Sequence, residues 1–385
     1  MIFDNLKRAG APADPTPRFT CHFNRGAFLQ IDCDVPKNWD VTFRNARTGE
    51  IVHRETILSG MWVKTNLRYF IDYEITVNDG NQLWDIKMDL EGKRVVIELG
   101  SAAIGDTLAW MPYVEEFRKL NECEVICYTF HNDLLHYPEI TFVEPGTELT
   151  GIYAWYELGW FYQGDAIDRD YHPWDPKAAP LQQTAASILG SYVPVRTMRP
   201  SLSLLEERPR PLQGRYVCIA PHSTAQAKYW NHPDGWFVLV GWLREQGLEV
   251  VNLSREGAEY MHNLVPAAAL QPPDYDLATI RQYLQHCEYF VGVGSGLSWL
   301  SWAMNVKTVL ISGFSERWTE IPHSRNVVRI GAADGCCSGC FNWVKLGNDG
   351  DWNWCPRFKG TERQFECTKS IKPLAVIAAI EESCK

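Results

Sequence analysis

The sequence predicts an α/β protein: two doubly wound, Rossmann-like units in tandem, behind an all-β domain and ahead of a cysteine-rich loop segment. Three observations carry this. Between residues 18 and 90 apolar residues recur in steps of two. From residue 94 onward, continuous apolar runs alternate with amphipathic ones. Residues 336–368 then hold five of the chain's twelve cysteines. A chain of 385 residues has room for two or three domains.

The first period reads as strands: "RFTCHFN", "AFLQIDC", "DVTFRNARTGEIVHRETI", "MWVKTN" and "YFIDYEITVNDGNQLWDIKMDL", with "RTGE" and "NDGN" supplying turn chemistry. These make an N-terminal all-β domain over residues 1–90, either barrel or sandwich. "RVVIELG" is a buried, parallel-type strand, followed by a helix from about Asp106 to Leu120 and strands "EVICYTF" and "ITFVEP". Residues 164–214 are proline-rich around one helix, "LQQTAASILGSY", and read as crossover and linker. The first α/β unit therefore spans 91–200. The second, 201–332, alternates strictly. Its strands are "RYVCIAP", "LEVVNLS", "EYFVGVG" and "KTVLISG". Its helices are "DGWFVLVGWLREQG", "DLATIRQYLQHC" and "GLSWLSWAM". A cysteine finger over 333–370 and a C-terminal helix over 371–385, "PLAVIAAIEESC", complete the chain.

Composition removes some functions. A net charge of −10 argues against nucleic acid, which requires a basic surface. There is no run of eighteen apolar residues, so no membrane span is expected. The first residues lack the charged-then-apolar layout of a signal peptide, so a cytoplasmic location is expected. Disulfides are disfavoured there, and clustered cysteines point to a metal or to catalysis.

Three strand ends offer chemistry. In "ELGSAAIGDTLAWMP", Gly105 would allow a tight turn, and Asp106 is either a helix N-cap or a general base facing the cleft. The spacing of a dinucleotide fingerprint is absent. In "CIAPHSTAQAKYWN", Ser223, Thr224 and Lys228 suit a diphosphate, and the alternative is a solvated loop. His222 reads as a packing residue. In "FVGVGSGLSWL", Gly294, Ser295 and Gly296 bring bare amides to a helix N-terminus, which favours an anion. Together these suggest a diphosphate cradle in one unit facing a carboxylate from the other, the layout of an enzyme that uses a nucleotide-sugar.

Among the cysteines, Cys337 and Cys340 form a C-x-x-C knuckle that Cys355 and Cys367 could complete as one tetrahedral, structural thiolate site. A redox C-x-x-C and a chance cluster are the alternatives, and Cys336 could replace Cys337. Four thiolates suit zinc or iron equally. The remaining cysteines read as small apolar residues or unpaired thiols.

"GDTLAWMP", "APHSTAQAKYW" and "GVGSGLSWL" together resemble the heptosyltransferases of the glycosyltransferase-B (GT-B) fold. With the front β-domain and the C-x-x-C…W-x-W-C-P…Q-F-E-C segment, nearly the whole chain resembles the bacterial autotransporter heptosyltransferases. That resemblance implies inverting transfer of heptose from ADP-heptose to serine hydroxyls of an autotransporter passenger protein. Asp106 would be the general base, and Lys228 would hold the departing diphosphate. Ser295, Gly296 and Leu297 would present backbone groups to phosphate and sugar, and Glu256 would bind the ribose hydroxyls. It also implies iron rather than zinc, and a homo-oligomer of twelve subunits. One departure stands out: lipopolysaccharide heptosyltransferases commonly carry an aspartate where this chain has Gly294. Two other functions remain open, transfer to a lipopolysaccharide core and a non-catalytic protein-binding module. Loss of transfer in Asp106→Ala with fold and ADP binding intact would separate an enzyme from a module.

Overall fold

The computed structural model describes residues 2–3, 16–66, 71–190, 197–206, 209–256, 260–347 and 352–383. Tyr69 and Phe70, placed above at the head of a strand, lie outside these residues, as do Ser191, Tyr192 and Cys384.

The N-terminal part forms two antiparallel layers. Strands β1 (Ile2–Phe3), β2 (Arg18–Asn24), β3 (Phe28–Asp32) and β6 (Trp62–Lys64) belong to one, and β4 (Asn38–Asn45), β5 (Ile51–Leu58), β7 (Tyr73–Asn78) and β8 (Leu83–Lys87) to the other, ordered β5-β4-β7-β8. The alternation read from the sequence is the burial pattern: in β4, Trp39, Val41 and Phe43 point inward while Asn38, Asp40, Thr42 and Arg44 do not. The layers share one core, with Phe19 edge-on to Trp39 and Phe23 stacked on Tyr73. The "NDGN" turn works through Asp79, whose Oδ1 accepts from the amides of Asn81 and Gln82, while Gly80 takes φ +89°.

The first α/β unit is β9 (Arg94–Leu99), α1 (Ile104–Asn121), β10 (Glu124–Tyr128), β11 (Ile140–Val143), β12 (Ala154–Leu158) and α2 (Leu181–Ile188). A small hairpin, β13 (Tyr162–Gln163) and β14 (Ala166–Ile167), lies between β12 and α2. The strand β12 is absent from the expectation above, and it has a large consequence. It pairs in parallel with β9 on one side and with β2 on the other. One sheet therefore runs β11-β10-β9-β12-β2-β3-β6. At residue 90 the strand type changes, but hydrogen bonding passes from the all-β part into the α/β unit without a break.

The second unit has its own all-parallel sheet, β16-β15-β17-β18-β19. Its strands are β15 (Tyr216–Ala220), β16 (Glu249–Asn252), β17 (Phe290–Val293), β18 (Thr308–Ile311) and β19 (Val327–Ile330). The helices are α3 (Gly235–Glu245), α4 (Leu277–His286) and α5 (Gly296–Ala303). Every residue of β15, β17 and β18 is buried, as a sheet covered on both faces requires. Beyond β19 the described residues hold a 3₁₀ turn (Cys340–Asn342) and α6 (Glu366–Lys369), and α7 (Pro373–Ser383) packs back on α3 through Val376, Ile377 and Ile380. The two α/β units meet where the N-termini of α1 and α5 touch. No helix among the described residues is long and apolar enough to cross a membrane.

Candidate active site

The carboxyl ends of β9, β15, β16 and β17 open onto one cavity of about 510 Å³ between the two units. Asp106, Ser223, Thr224, Lys228, Glu256, Ser295, Gly296 and Leu297 all line it. An acid from the first unit thus faces an ammonium and a helix N-terminus from the second.

Asp106 is the third residue of α1, and Ala103 is the N-cap. The N-cap alternative is therefore excluded, and the carboxylate is free to face the cavity. Protein encloses it on its other sides, and this burial raises its pKa above the ordinary carboxylate value. A hydrogen bond from Ser101 and the charge of Lys228 pull the other way, while Glu320 adds to the rise.

Gly105 also differs from expectation. It lies inside the helix and does not serve a turn. A Cβ there would stand 2.9 Å from Cδ1 of Trp299 in α5. Gly296 mirrors it, since its Cβ would stand 3.2 Å from the Ile104 side chain. Glycine at both positions lets the two helix starts close on each other.

In the second unit, Ser223 Oγ donates to the Gly294 carbonyl at 2.7 Å and so locks the loops after β15 and β17 together. Lys228 closes a single 3₁₀ turn, Gln226–Lys228, and its ammonium lies 3.9 Å from Glu320 Oε1. Ser295 is the N-cap of α5, yet its side chain makes no capping bond, and its buried Oγ has no partner. The Gly296 and Leu297 amides are the first two of the helix and have no acceptor within it. A positive helix end and a free hydroxyl therefore meet the cavity beside Lys228. Glu256 lies in the loop after β16, with Oε2 3.9 Å from Nδ1 of His222.

Two residues were missed by sequence reasoning. His222 lines the cavity, buried edge-on to Tyr229 and Tyr260, with no hydrogen bond to either ring nitrogen. Burial lowers its pKa, with Glu256 opposing. The missed signal was its place at a strand end, immediately before Ser223. Glu320 lines the cavity from the loop between β18 and β19, where no motif marks it. It packs against Gly294, where a Cβ would clash with Glu320 Oε2.

The cysteine segment is built into this site. Phe341 lines the cavity, and Ala225, Ala227, Phe314, Cys340, Trp352, Cys355 and Phe365 form one small core. The Trp352 carbonyl accepts from the Ala227 amide at 3.1 Å, and Asn353 Oδ1 accepts from the Gln226 amide at 3.2 Å. The turn that carries Lys228 is therefore held by the cysteine segment. Asn342 ties the same segment to both units, accepting from the Glu316 amide and donating to the Lys177 carbonyl, each at 2.8 Å.

The four thiols expected to bind an ion lie within electrostatic reach of one another. Burial first, then the neighbouring Cys337, Cys340 and Cys355, push the Cys367 thiol up to about 12. Cys340 is pushed up to about 11 by burial and then by Cys337 and Cys355. Cys337 acts electrostatically on both Cys340 and Cys367. Among the described residues, no three His, Cys, Asp or Glu side chains stand at ion-binding spacing. The donor set fits a soft ion, which would take the place of the thiol protons.

The family model for glycosyltransferase family 9 (heptosyltransferase) matches residues 182–346. The chain is 35% identical over 365 residues to the autotransporter heptosyltransferase BAHTCr of Citrobacter rodentium, covering 91% of this chain and 85% of that protein. It is 31% identical over 347 residues to the inactive autotransporter heptosyltransferase BimC of Burkholderia thailandensis, covering 87% of this chain and 79% of that one. The crystal structure of the iron-containing dodecameric glycosyltransferase TibC, from enterotoxigenic E. coli H10407, superposes with a TM-score of 0.81 at 32% identity. That match covers 97% of this chain and 98% of TibC. TibC has also been crystallised with ADP-D-beta-D-heptose.

Proposed function

The chain belongs to the autotransporter heptosyltransferases, glycosyltransferases of the GT-B α/β fold, and from that premise we propose that it transfers heptose from ADP-heptose to serine hydroxyls of an autotransporter passenger protein, with inversion. One observation carries the reading: Asp106 confronts Lys228 and the α5 N-terminus across a single cavity. On the boundaries expected from the sequence, residues 91–200 form the acceptor side and 201–332 the donor side.

Asp106 takes the proton of the acceptor serine, whose oxygen attacks the anomeric carbon. The bond from that carbon to the phosphate oxygen breaks, and ADP leaves with the electron pair. Negative charge grows on the diphosphate as it departs. The Lys228 ammonium, the Thr224 and Ser295 hydroxyls and the Gly296 and Leu297 amides are placed to stabilise it, while Ser223, which donates to the Gly294 carbonyl, holds the loop that presents them. Positive protein groups thus do what a metal ion does in other transferases. The raised pKa of Asp106 makes it a stronger base than a surface carboxylate. Glu256, beside His222, accepts from the ribose hydroxyls.

Cys337, Cys340, Cys355 and Cys367 hold one structural ion per chain, iron by likeness to TibC, with zinc as the alternative. When bound, the ion closes an irregular segment that has little core of its own. A dodecamer like that of TibC is the inferred assembly.

The inactive relative BimC shows that membership alone does not make an enzyme, so the test is direct. Intact-mass spectrometry of an autotransporter passenger incubated with ADP-heptose and this protein should show added heptosyl residues, borne on serine. A passenger left unmodified, while ADP binds normally, would favour the non-catalytic module. Transfer only to a lipopolysaccharide acceptor would replace the passenger reading.

A further inference from the structure

The donor site contains a buried carboxylate that the mechanism above does not use. Glu320 is 8% exposed and lies among the cavity residues. Its Oε1 stands 3.9 Å from the Lys228 ammonium, whereas Oε2 is buried without a hydrogen-bond partner. Leaving a buried acceptor unsatisfied is costly, and more so when it is charged. The loop that carries it is pinned on both sides of Glu320. On one side the Thr319 carbonyl accepts from the Leu181 amide and Thr319 Oγ1 donates to Asn342, both at 2.8 Å. On the other, the Ile321 carbonyl accepts from the Arg329 guanidinium at 2.8 Å. The backbone opposite makes room for it: a Cβ on Gly294 would stand 2.2 Å from Oε2 and 2.6 Å from Oε1. A side chain at position 294 and the Glu320 carboxylate would therefore compete for one volume.

An ionised carboxylate only accepts hydrogen bonds, so its missing partner is a donor. Phosphate oxygens are excluded by like charge, and hydroxyls fit. The cavity has two such acidic ends. Glu256 sits with His222, while Glu320 sits with Lys228 and within the electrostatic reach of Asp106. With the diphosphate at Lys228, Glu320 is on the side where the sugar is transferred.

We propose that Glu320 is the residue that recognises the sugar of the donor, its Oε2 accepting from the hydroxyls of a glycosyl group attached to the diphosphate at Lys228. This deepens the donor-site reading above and rests on it. Once the sugar is bound, Oε2 gains the partner it lacks, and the carboxylate distinguishes a nucleotide-sugar from the bare nucleotide.

Equilibrium titration of the full chain with ADP-heptose and, separately, with ADP tests this. Glu320→Ala should weaken ADP-heptose about ten- to hundredfold, as loss of a charged hydrogen bond does. ADP should bind equally well or more tightly, because a negative charge near the diphosphate is gone. Glu320→Gln, which preserves volume and one acceptor, should show a smaller loss confined to ADP-heptose. Gly294→Ala should reproduce the selective loss by displacing the carboxylate. The double variant Gly294→Ala/Glu320→Ala should be no worse than Glu320→Ala alone, the non-additivity expected of two residues sharing one volume. Equal losses for both ligands would make Glu320 structural and overturn the proposal, as would unchanged affinity for both. If the unaltered chain bound no ADP, the donor-site reading itself would fail and this proposal with it. That outcome is distinct from normal ADP binding without selectivity in the variants.

Discussion

Gly105→Ala probes the contact between α1 and α5. The added Cβ would stand 2.9 Å from Trp299 Cδ1 and 3.5 Å from Cγ and Nε1. Carbon atoms rest at about 3.5–4.0 Å, so α1 and α5 must part by roughly 0.6–1 Å. Trp299 is 3% exposed and packs edge-on against Trp302. Overpacking of this kind costs about 1–3 kcal/mol, offset in part by the roughly 1 kcal/mol that alanine gains over glycine inside a helix. The net loss of stability is therefore small, about 0–2 kcal/mol. The kinetic effect is larger, because the next residue is Asp106. Displacing a catalytic group by about 1 Å can cost about a hundredfold in rate. Single-turnover transfer should fall by that order, while ADP affinity, set by the second unit, should change little. A variant with a raised melting temperature and full transfer rate would show helix propensity alone at work, and would refute the packing argument.

The pH dependence follows from the raised pKa of Asp106. The base must be ionised, so the transfer rate should decline on acidification with an apparent pKa above the ordinary value of 3.8. An acid limb at or below that value would contradict the burial. A carboxylate with a raised folded-state pKa favours the fold fully only below its unfolded value, and loses that contribution as pH rises through the folded one. Asp106→Asn should therefore be at least as stable as the unaltered chain at neutral pH, by thermal melting. Lys228→Ala should weaken ADP about ten- to hundredfold, by the usual worth of a charged hydrogen bond, with normal affinity counting against the diphosphate assignment. Cys367→Ser should lose the ion by elemental analysis and lower the melting temperature. It should also weaken ADP, because Trp352 and Asn353 hold the Lys228 turn. An ion-free variant with full stability and affinity would remove that coupling.

The second unit was legible because its strands are continuous apolar runs ended by glycine or proline, as in "FVGVG" and "CIAP". The same pattern located the strand ends, and with them Asp106, Lys228 and the α5 N-terminus. Helix starts were less legible. Asp106 satisfies the residue preference of an N-cap, yet Ala103 occupies that position, since three residues of slack in a helix boundary are invisible to composition. The join between β12 and β2 was not legible at all. It pairs Ala154 with Phe23, and nothing local in "AWYEL" marks a partner so distant along the chain. Glu320 was hidden for a related reason: it packs against Gly294, and only folding brings the β18–β19 loop over the end of β17. Residue types at strand ends are readable, whereas contacts between loops distant along the chain become visible only in three dimensions.

The most direct test of the account is single-turnover transfer by Asp106→Asn, saturated with ADP-heptose, onto an autotransporter passenger. The account predicts normal donor binding and a rate lower by about 10²–10⁴, the usual contribution of a positioned general base. Transfer at the rate of the unaltered chain would contradict it, because Asp106 would then face Lys228 without taking part in the reaction.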